Sequence, residues 1–198
     1  FAQAVAGGRS AFQVHCSQCH GSGAAGSQTL GYPNLNDDDW LWGGDLKAIE
    51  YTLVNGIRAP GVEDPRTSLM PPFEGAFEPA QLDGLVSHVL SLSGKGASNG
   101  TGVQLYQDNC SVCHGAAGEG NRELGAPRLN DAIWLYGSSR EQVRDQILNP
   151  KMGRMPHWSE RLDPVTIKML SAYVWSLGGG EEFVEVAEDP TVEVDEEP

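Results

Sequence analysis

The chain has 198 residues, 25 of them glycine, is 39% hydrophobic and carries a formal net charge of −14. That length allows one large domain or two small ones. The acidic balance argues against nucleic acid and against adsorption on anionic lipid, and no stretch approaches the ~20 apolar residues of a membrane span.

In chain order, the first predicted helix covers about 6–15 and sets Gly8 and Phe12 on one face at i, i+4. A glycine there lets a second helix approach closely. The helix leads into Cys16-Ser17-Gln18-Cys19-His20, followed by a Gly-rich loop over 21–34 and the run Asp37-Asp38-Asp39. A helix over about 45–55 aligns Leu46, Ile49 and Leu53. Met70-Pro71 then lies in an extended loop, and a helix opens at Pro79 and runs to about 92, with Leu82, Leu85, Val86, Val89 and Leu92 inward; proline suits a first helical turn. Residues 93–100 are a Gly/Ser joint.

The pattern then recurs. A helix over 100–110 carries Gly102 and Tyr106, and Cys110-Ser111-Val112-Cys113-His114 precedes a second Gly-rich loop, 115–128. A helix over 138–148, capped by Ser138 or Ser139, turns Val143, Ile147 and Leu148 inward and stops at Pro150. Met155-Pro156 follows, and a last helix runs from Pro164 to about 177 with Ile167, Leu170, Val174 and Leu177. No alternating strand pattern of any length appears, so the class is all-α with long loops. The final 18 residues hold nine Asp or Glu and no Lys or Arg, which reads as a mobile, disordered acidic tail over 181–198.

An offset of 94 aligns the chain with itself. Cys16, Cys19 and His20 fall on Cys110, Cys113 and His114; Gly31 and Pro33 on Gly125 and Pro127; Trp40-Leu41 on Trp134-Leu135. After Asn55 the first copy carries about nine extra residues within 57–67, and from there an offset of 85 brings Met70-Pro71 onto Met155-Pro156. Tandem duplication explains this, and predicts two domains, 1–94 and 95–180.

C-x-x-C-H is the attachment signature of c-type haem. Cys16 and Cys19, and Cys110 and Cys113, are placed to add to haem vinyl groups, which predicts two covalently bound haem c and uses every cysteine in the chain. A zinc ribbon would need its pairs about 15–20 residues apart, not 91 as here, and would not require a His after each pair. A redox C-x-x-C expects a βαβ setting that is not seen. Structural disulfides remain an alternative in an oxidising compartment. His20 and His114 supply one axial iron ligand each, and the sixth ligand sets what the haem does. Met70 is the only methionine of the first copy; Met155 aligns with it, with Met152 one turn earlier as a substitute and Met169 read as core. The expected pairs are His20 with Met70 and His114 with Met155, closing both irons and favouring electron transfer over catalysis. His15 is expected at the surface, His88 and His157 are minor ligand candidates, and Asn36, Trp40, Asn130, Trp134, Arg58, Arg66, Arg128 and Arg154 are candidates for holding propionates or the ligand loops.

The second copy carries more specific text: Leu129-Asn130-Asp131-Ala132-Ile133-Trp134-Leu135-Tyr136-Gly137, Gly153-Arg154-Met155-Pro156 and Leu170-Ser171-Ala172-Tyr173-Val174-Trp175-Ser176-Leu177. Together with Gly31-Tyr32-Pro33-Asn34-Leu35-Asn36-Asp37-Asp38-Asp39-Trp40-Leu41-Trp42-Gly43-Gly44, it resembles subunit III (CcoP or FixP) of the cbb-type haem–copper cytochrome c oxidases over about 1–180. The resemblance implies two class-I-like cytochrome c domains in a periplasmic di-haem subunit. Such a subunit is not an enzyme by itself. It takes electrons from donor cytochromes c and passes them to the mono-haem subunit and the oxygen-reducing core. Family members reach the membrane through an N-terminal helix that this chain lacks, which implies an ectodomain fragment tethered in its full-length form, or a free soluble periplasmic shuttle as the alternative.

Overall fold

The computed structural model describes residues 1–182, so all but the first two residues of the expected acidic tail lie outside the described residues. Its helices are α1 (Ala2–His15), α2 (Ser17–His20), α3 (Leu46–Asn55), α4 (Pro79–Leu92), α5 (Gly100–Asn109), α6 (Ser111–His114), α7 (Arg140–Leu148) and α8 (Pro164–Trp175). Among the described residues extended pairing is confined to isolated bridges, so the class is all-α, with the cytochrome c-type helices expected from the two copies.

The starts of these helices follow from their sequences. Asp45 accepts from the Lys47 and Ala48 amides, Asn99 from Gly102, and Asp163 from Val165 and Thr166. Glu78 with Gln81 and Ser139 with Gln142 form capping boxes, satisfying amides that a helix start leaves without partners. Pro79 and Pro164 occupy first turns. One-turn α2 and α6 each end in a glycine, Gly21 at φ 78° and Gly115 at φ 80°, a left-handed turn that swings the chain away from the histidine just placed.

The helices pack in two groups, and the groups are not the two sequence halves. α8 packs on α1 and α3, and α4 on α5 and α7; no helix of one group packs on a helix of the other among the described residues. Phe12, Cys16, Ile49 and Leu53 share a buried cluster with Ile167, Leu170, Tyr173 and Val174. Leu82, Leu85, Val86 and Val89 share theirs with Tyr106, Val143 and Ile147. Thus each copy's last helix covers the other copy's first helix.

The boundaries 1–94 and 95–180 therefore describe the duplication but not the packing. The physical reason is the joint. Only residues 93–99 separate α4 from α5, and a short connection favours neighbours packed side by side. Once α4 is committed to α5, its repeat equivalent α8 is left for α1. Glycines let both pairs meet backbone to backbone: a Cβ on Gly8 would lie 1.9 Å from the Met169 carbonyl oxygen, and one on Gly102 would lie 2.1 Å from that of Gly84.

Candidate haem-binding sites

The two C-x-x-C-H turns are built alike. In α2 the Cys19 and His20 amides bond back to the Cys16 carbonyl (3.1 and 2.9 Å), and in α6 those of Cys113 and His114 do the same to Cys110 (3.1 and 2.9 Å). One helical turn sets each pair of sulfurs on the same side, and no disulfide joins any of the four cysteines. Burial, with Cys19 beside it, pushes the Cys16 thiol up to about 11, and burial with Cys113 does the same to Cys110.

Each histidine is oriented by the loop that follows it. His20 Nδ1–H donates to the Pro33 carbonyl (3.2 Å) and His114 Nδ1–H to the Pro127 carbonyl (3.0 Å). Gly26 and Gly120 amides return to the His20 and His114 carbonyls (both 2.8 Å). Burial lowers both imidazole pKa values, opposed by those proline carbonyl bonds. The imidazoles are thus neutral, with the proton on Nδ1 and a lone pair on Nε2, the form in which histidine ligates a metal. Pro33 and Pro127 were visible as a matched pair in the repeat; their carbonyls' task was not.

The methionine straps cross over. Met155 packs against the cluster containing Cys16 and Phe12, and Met70 against the cluster containing Tyr106, with Cys110 at its edge. Ile57 and Met155 exchange backbone hydrogen bonds (2.9 and 3.0 Å), and one further bond recurs in both copies: Trp158 N–H to the Leu53 carbonyl (2.9 Å) and Phe73 N–H to the Ile147 carbonyl (3.2 Å). The expected pairing of His20 with Met70 and His114 with Met155 is therefore not the one the packing brings together; the exchange of α4 and α8 carries each strap to the other copy's C-x-x-C-H turn. Met152 is 37% exposed, and the Met169 sulfur lies where α8 meets Gly7 of α1.

The remaining candidates sort by their partners. Trp40 Nε1 donates to the Gly179 carbonyl and Trp134 Nε1 to that of Asp131 (3.2 Å), so both indoles serve backbone rather than a propionate. His15 is half-buried against Trp158, His88 is buried with its ring on Tyr106 and Nδ1 on Ser98, and His157 contacts Ser159. Arg128 pairs with Asp131 at 3.5 Å, and Arg58 binds Gly153 and Ser68. Two buried N–H groups, Trp42 Nε1 and Arg66 Nε, lack an acceptor, and the Arg66 guanidinium lies 5.4 Å from the Trp42 ring centre. The residues fit a haem on this count as well: a carboxylate edge such as a propionate would supply the acceptor that these donors lack.

The two groups meet through their loops in a pseudo-symmetric way the repeat could have signalled. Trp42 lies over Gly125, and its counterpart Tyr136 lies over Gly31, which is the counterpart of Gly125. Asp39, Asp37 and Asp131 converge at the same seam, where burial and then the charges of Asp131 and Asp37 push Asp39 up to about 6 against the pull of Arg128 and Arg122. Glu181, expected in the mobile tail, is fixed instead: it accepts from Arg122 (2.9 and 2.6 Å) and from the Gly44 amide (2.8 Å), and its carbonyl accepts from Trp175 Nε1 (2.8 Å).

An all-helical fold with two C-x-x-C-H turns, each with an oriented neutral imidazole and a Met-Pro strap, defines a cytochrome c-type protein. Residues 3–89 and 97–174 match the family model of cbb3-type cytochrome c oxidase subunit III. The chain belongs to that family, whose cytochrome c character implies covalently bound haem c. It is 48% identical over 180 residues to the cbb3-type cytochrome c oxidase subunit FixP of Rhizobium etli, covering 89% of this chain and 62% of that protein. It is 49% identical over 181 residues to FixP of Rhizobium meliloti (90% and 62%) and 45% identical over 179 residues to subunit CcoP of Cereibacter sphaeroides (88% and 61%). The chain spans about three-fifths of the length of these relatives. No helix among the described residues is long and apolar enough to cross a membrane.

Proposed function

We propose that this chain is the di-haem electron-transfer part of a cbb3-type oxidase subunit III, non-catalytic by itself, with crossed iron ligation. One haem is held by the Cys16 and Cys19 thioethers and by His20 and Met155; the other by Cys110, Cys113, His114 and Met70. Bound there, haem supplies a one-electron ferric/ferrous couple. The protein's residues hold the imidazole tautomer, stiffen the thioether ligand with a following proline, and keep water and exogenous ligands from the open face. The observation that carries this reading is the crossing itself: Met155 in the Cys16 cluster, Met70 in the Cys110 cluster.

The names of the relatives support a subunit of an oxidase complex over a free shuttle. Its partners would be donor cytochromes c on one side and the mono-haem subunit and catalytic core on the other, in the periplasm and tethered to the inner membrane. A net charge of −14 suits steering of a basic donor, so reduction by such a donor should slow steeply as salt is added.

The ligands are tested by NMR of the ferrous protein. Two strongly shifted methionine methyl resonances are expected. Met155→Ala should remove the one connected through the haem meso protons to the Cys16 and Cys19 bridges, and Met70→Ala the other. Loss of the opposite resonance in each case would refute the crossing, and absence of both in the parent protein would refute methionine ligation.

A further inference from the structure

The nine extra residues that break the repeat place one side chain against both methionine straps. Arg58 lies at their start. Its Nε–H donates to the Gly153 carbonyl (2.7 Å), and its Nη1 donates to the Ser68 carbonyl (3.2 Å) and hydroxyl (2.7 Å). Ser68 stands two residues before Met70, and Gly153 two residues before Met155. They are equivalent positions in the two copies, and one guanidinium bridges them.

The backbone is arranged to hold that side chain there. The Arg58 amide bonds to the Arg66 carbonyl (2.8 Å), the Arg66 amide to the Gly56 carbonyl (3.0 Å), and neighbouring Ile57 is bonded in both directions to Met155. Arg58 itself sits at φ 49°, a left-handed conformation that a side-chain-bearing residue adopts only where its surroundings impose it. A lysine could not reproduce the contact, since its single ammonium cannot span two separated carbonyls as a planar fork does. Gly153 is held from its other side too, its amide donating to the Tyr136 hydroxyl (3.0 Å).

We propose that Arg58 is a positioning residue that clamps the two methionine straps to each other, so that ligation at one iron is coupled to ligation at the other. The proposal rests on Met70 and Met155 being iron ligands. Free of the clamp, each strap gains freedom to swing its sulfur off the metal, and an exogenous ligand then competes more easily at both irons.

The test is displacement of methionine by imidazole in the ferric holoprotein, followed by loss of the iron–methionine charge-transfer band and assigned to each haem by NMR. Arg58→Gln should raise the apparent imidazole affinity at both irons by at least about tenfold, the scale of one lost charge-assisted hydrogen bond. Ser68→Ala, which deletes one hydroxyl and keeps the fold, should raise it chiefly at the Met70 iron and, through the clamp, by a smaller factor at the Met155 iron. An Arg58→Gln protein loosened at one iron or at neither would overturn the clamp, as would a Ser68→Ala protein with unchanged affinity at the Met70 iron. Met70→Ala and Met155→Ala, run alongside, separate the two failures: if either retains both bands, the ligand assignment falls rather than the clamp.

Discussion

The exchange of helices can be tested at a single atom. A Cβ on Gly8 would stand 1.9 Å from the Met169 carbonyl oxygen, 2.6 Å from its carbonyl carbon and 2.7 Å from Tyr173 Cβ. Ordinary contact begins near 3.4 Å, so Gly8→Ala leaves α1 and α8 about 1.5 Å too close at that point. The obstacle is helix backbone and cannot rotate away. Overpacking of this kind costs about 3 kcal/mol at the upper end of its usual range, and replacing glycine by alanine within a helix returns up to about 1 kcal/mol. The net loss is about 2 kcal/mol, a fall in Tm of roughly 4–8 °C for a chain of this size. The location of the damage is diagnostic. Since α8 belongs to the second copy, Gly8→Ala should weaken ligation by Met155, while Gly102→Ala, pressing on the Gly84 carbonyl of α4, should weaken ligation by Met70. Thermal melts followed at the two methionine methyl resonances measure both effects. An unchanged Tm, or loss of the Met70 signal on substituting Gly8, would refute the exchanged packing.

Asp39 gives a pH prediction. Its folded pKa, pushed up to about 6 by burial and then by Asp131 and Asp37, exceeds the ordinary carboxyl value of about 3.9. The folded state therefore binds the proton more tightly, and stability falls as pH rises from about 4 to about 6. Solvent screening of this half-buried group reduces the nominal penalty to about 1–2 kcal/mol, so Asp39→Asn should raise Tm by roughly 2–8 °C at pH 7.5 and leave it unchanged at pH 4; equal gains at both would dismiss the electrostatic cause. Glu181 has the opposite sign. Burial pushes its carboxyl up, but the Arg122 bonds and the Gly44 amide together hold it below the ordinary value, so its contribution is present above about pH 4.5 and fades as pH falls. The pair is half-exposed, so Glu181→Gln should lower stability by less than about 1 kcal/mol at neutral pH and by progressively less as the pH falls below about 4.5; a loss that does not shrink on acidification would point to packing instead.

The fold class was legible in the sequence because the helix signals are local. Asp45, Pro79, Ser139 and Pro164 mark starts by the hydrogen bonds they accept or the amides they lack, and Gly8 and Gly102 mark close crossings by having no side chain. The first helix starts four residues before the point its sequence pattern predicts, because Phe1 offers no cap and the extra turn is held by tertiary contact, its ring lying 5.6 Å from Trp175. What local signals could not give was partner choice. Duplication leaves α4 and α8 with matching apolar stripes, so either could cover α1. Composition places Glu181 with its acidic neighbours, because it does not register that Arg122 and the Gly44 amide await it. The indole partners are not legible in the sequence for a similar reason: the carbonyls of Gly179 and Asp131 become available only once the loops close.

The exchange also explains why the repeat tolerates its one large asymmetry. In two independent domains, nine extra residues near one ligand strap would alter that site alone. Here both straps run along the seam, where Tyr136 lies over Gly31 and Trp42 over Gly125, and the insertion enters between them with Arg58 at its base. A single element can then serve two sites that its own half does not complete. The same geometry means that neither half can close its own C-x-x-C-H turn, because the helix and strap that cover it belong to the other half. Such an arrangement fixes the relative position of the two C-x-x-C-H turns through backbone and covalent attachment rather than through a surface contact between separate domains. On the proposed di-haem reading that arrangement would hold the two redox centres at a constant distance, and the seven-residue joint between α4 and α5 is the sequence feature that brings it about.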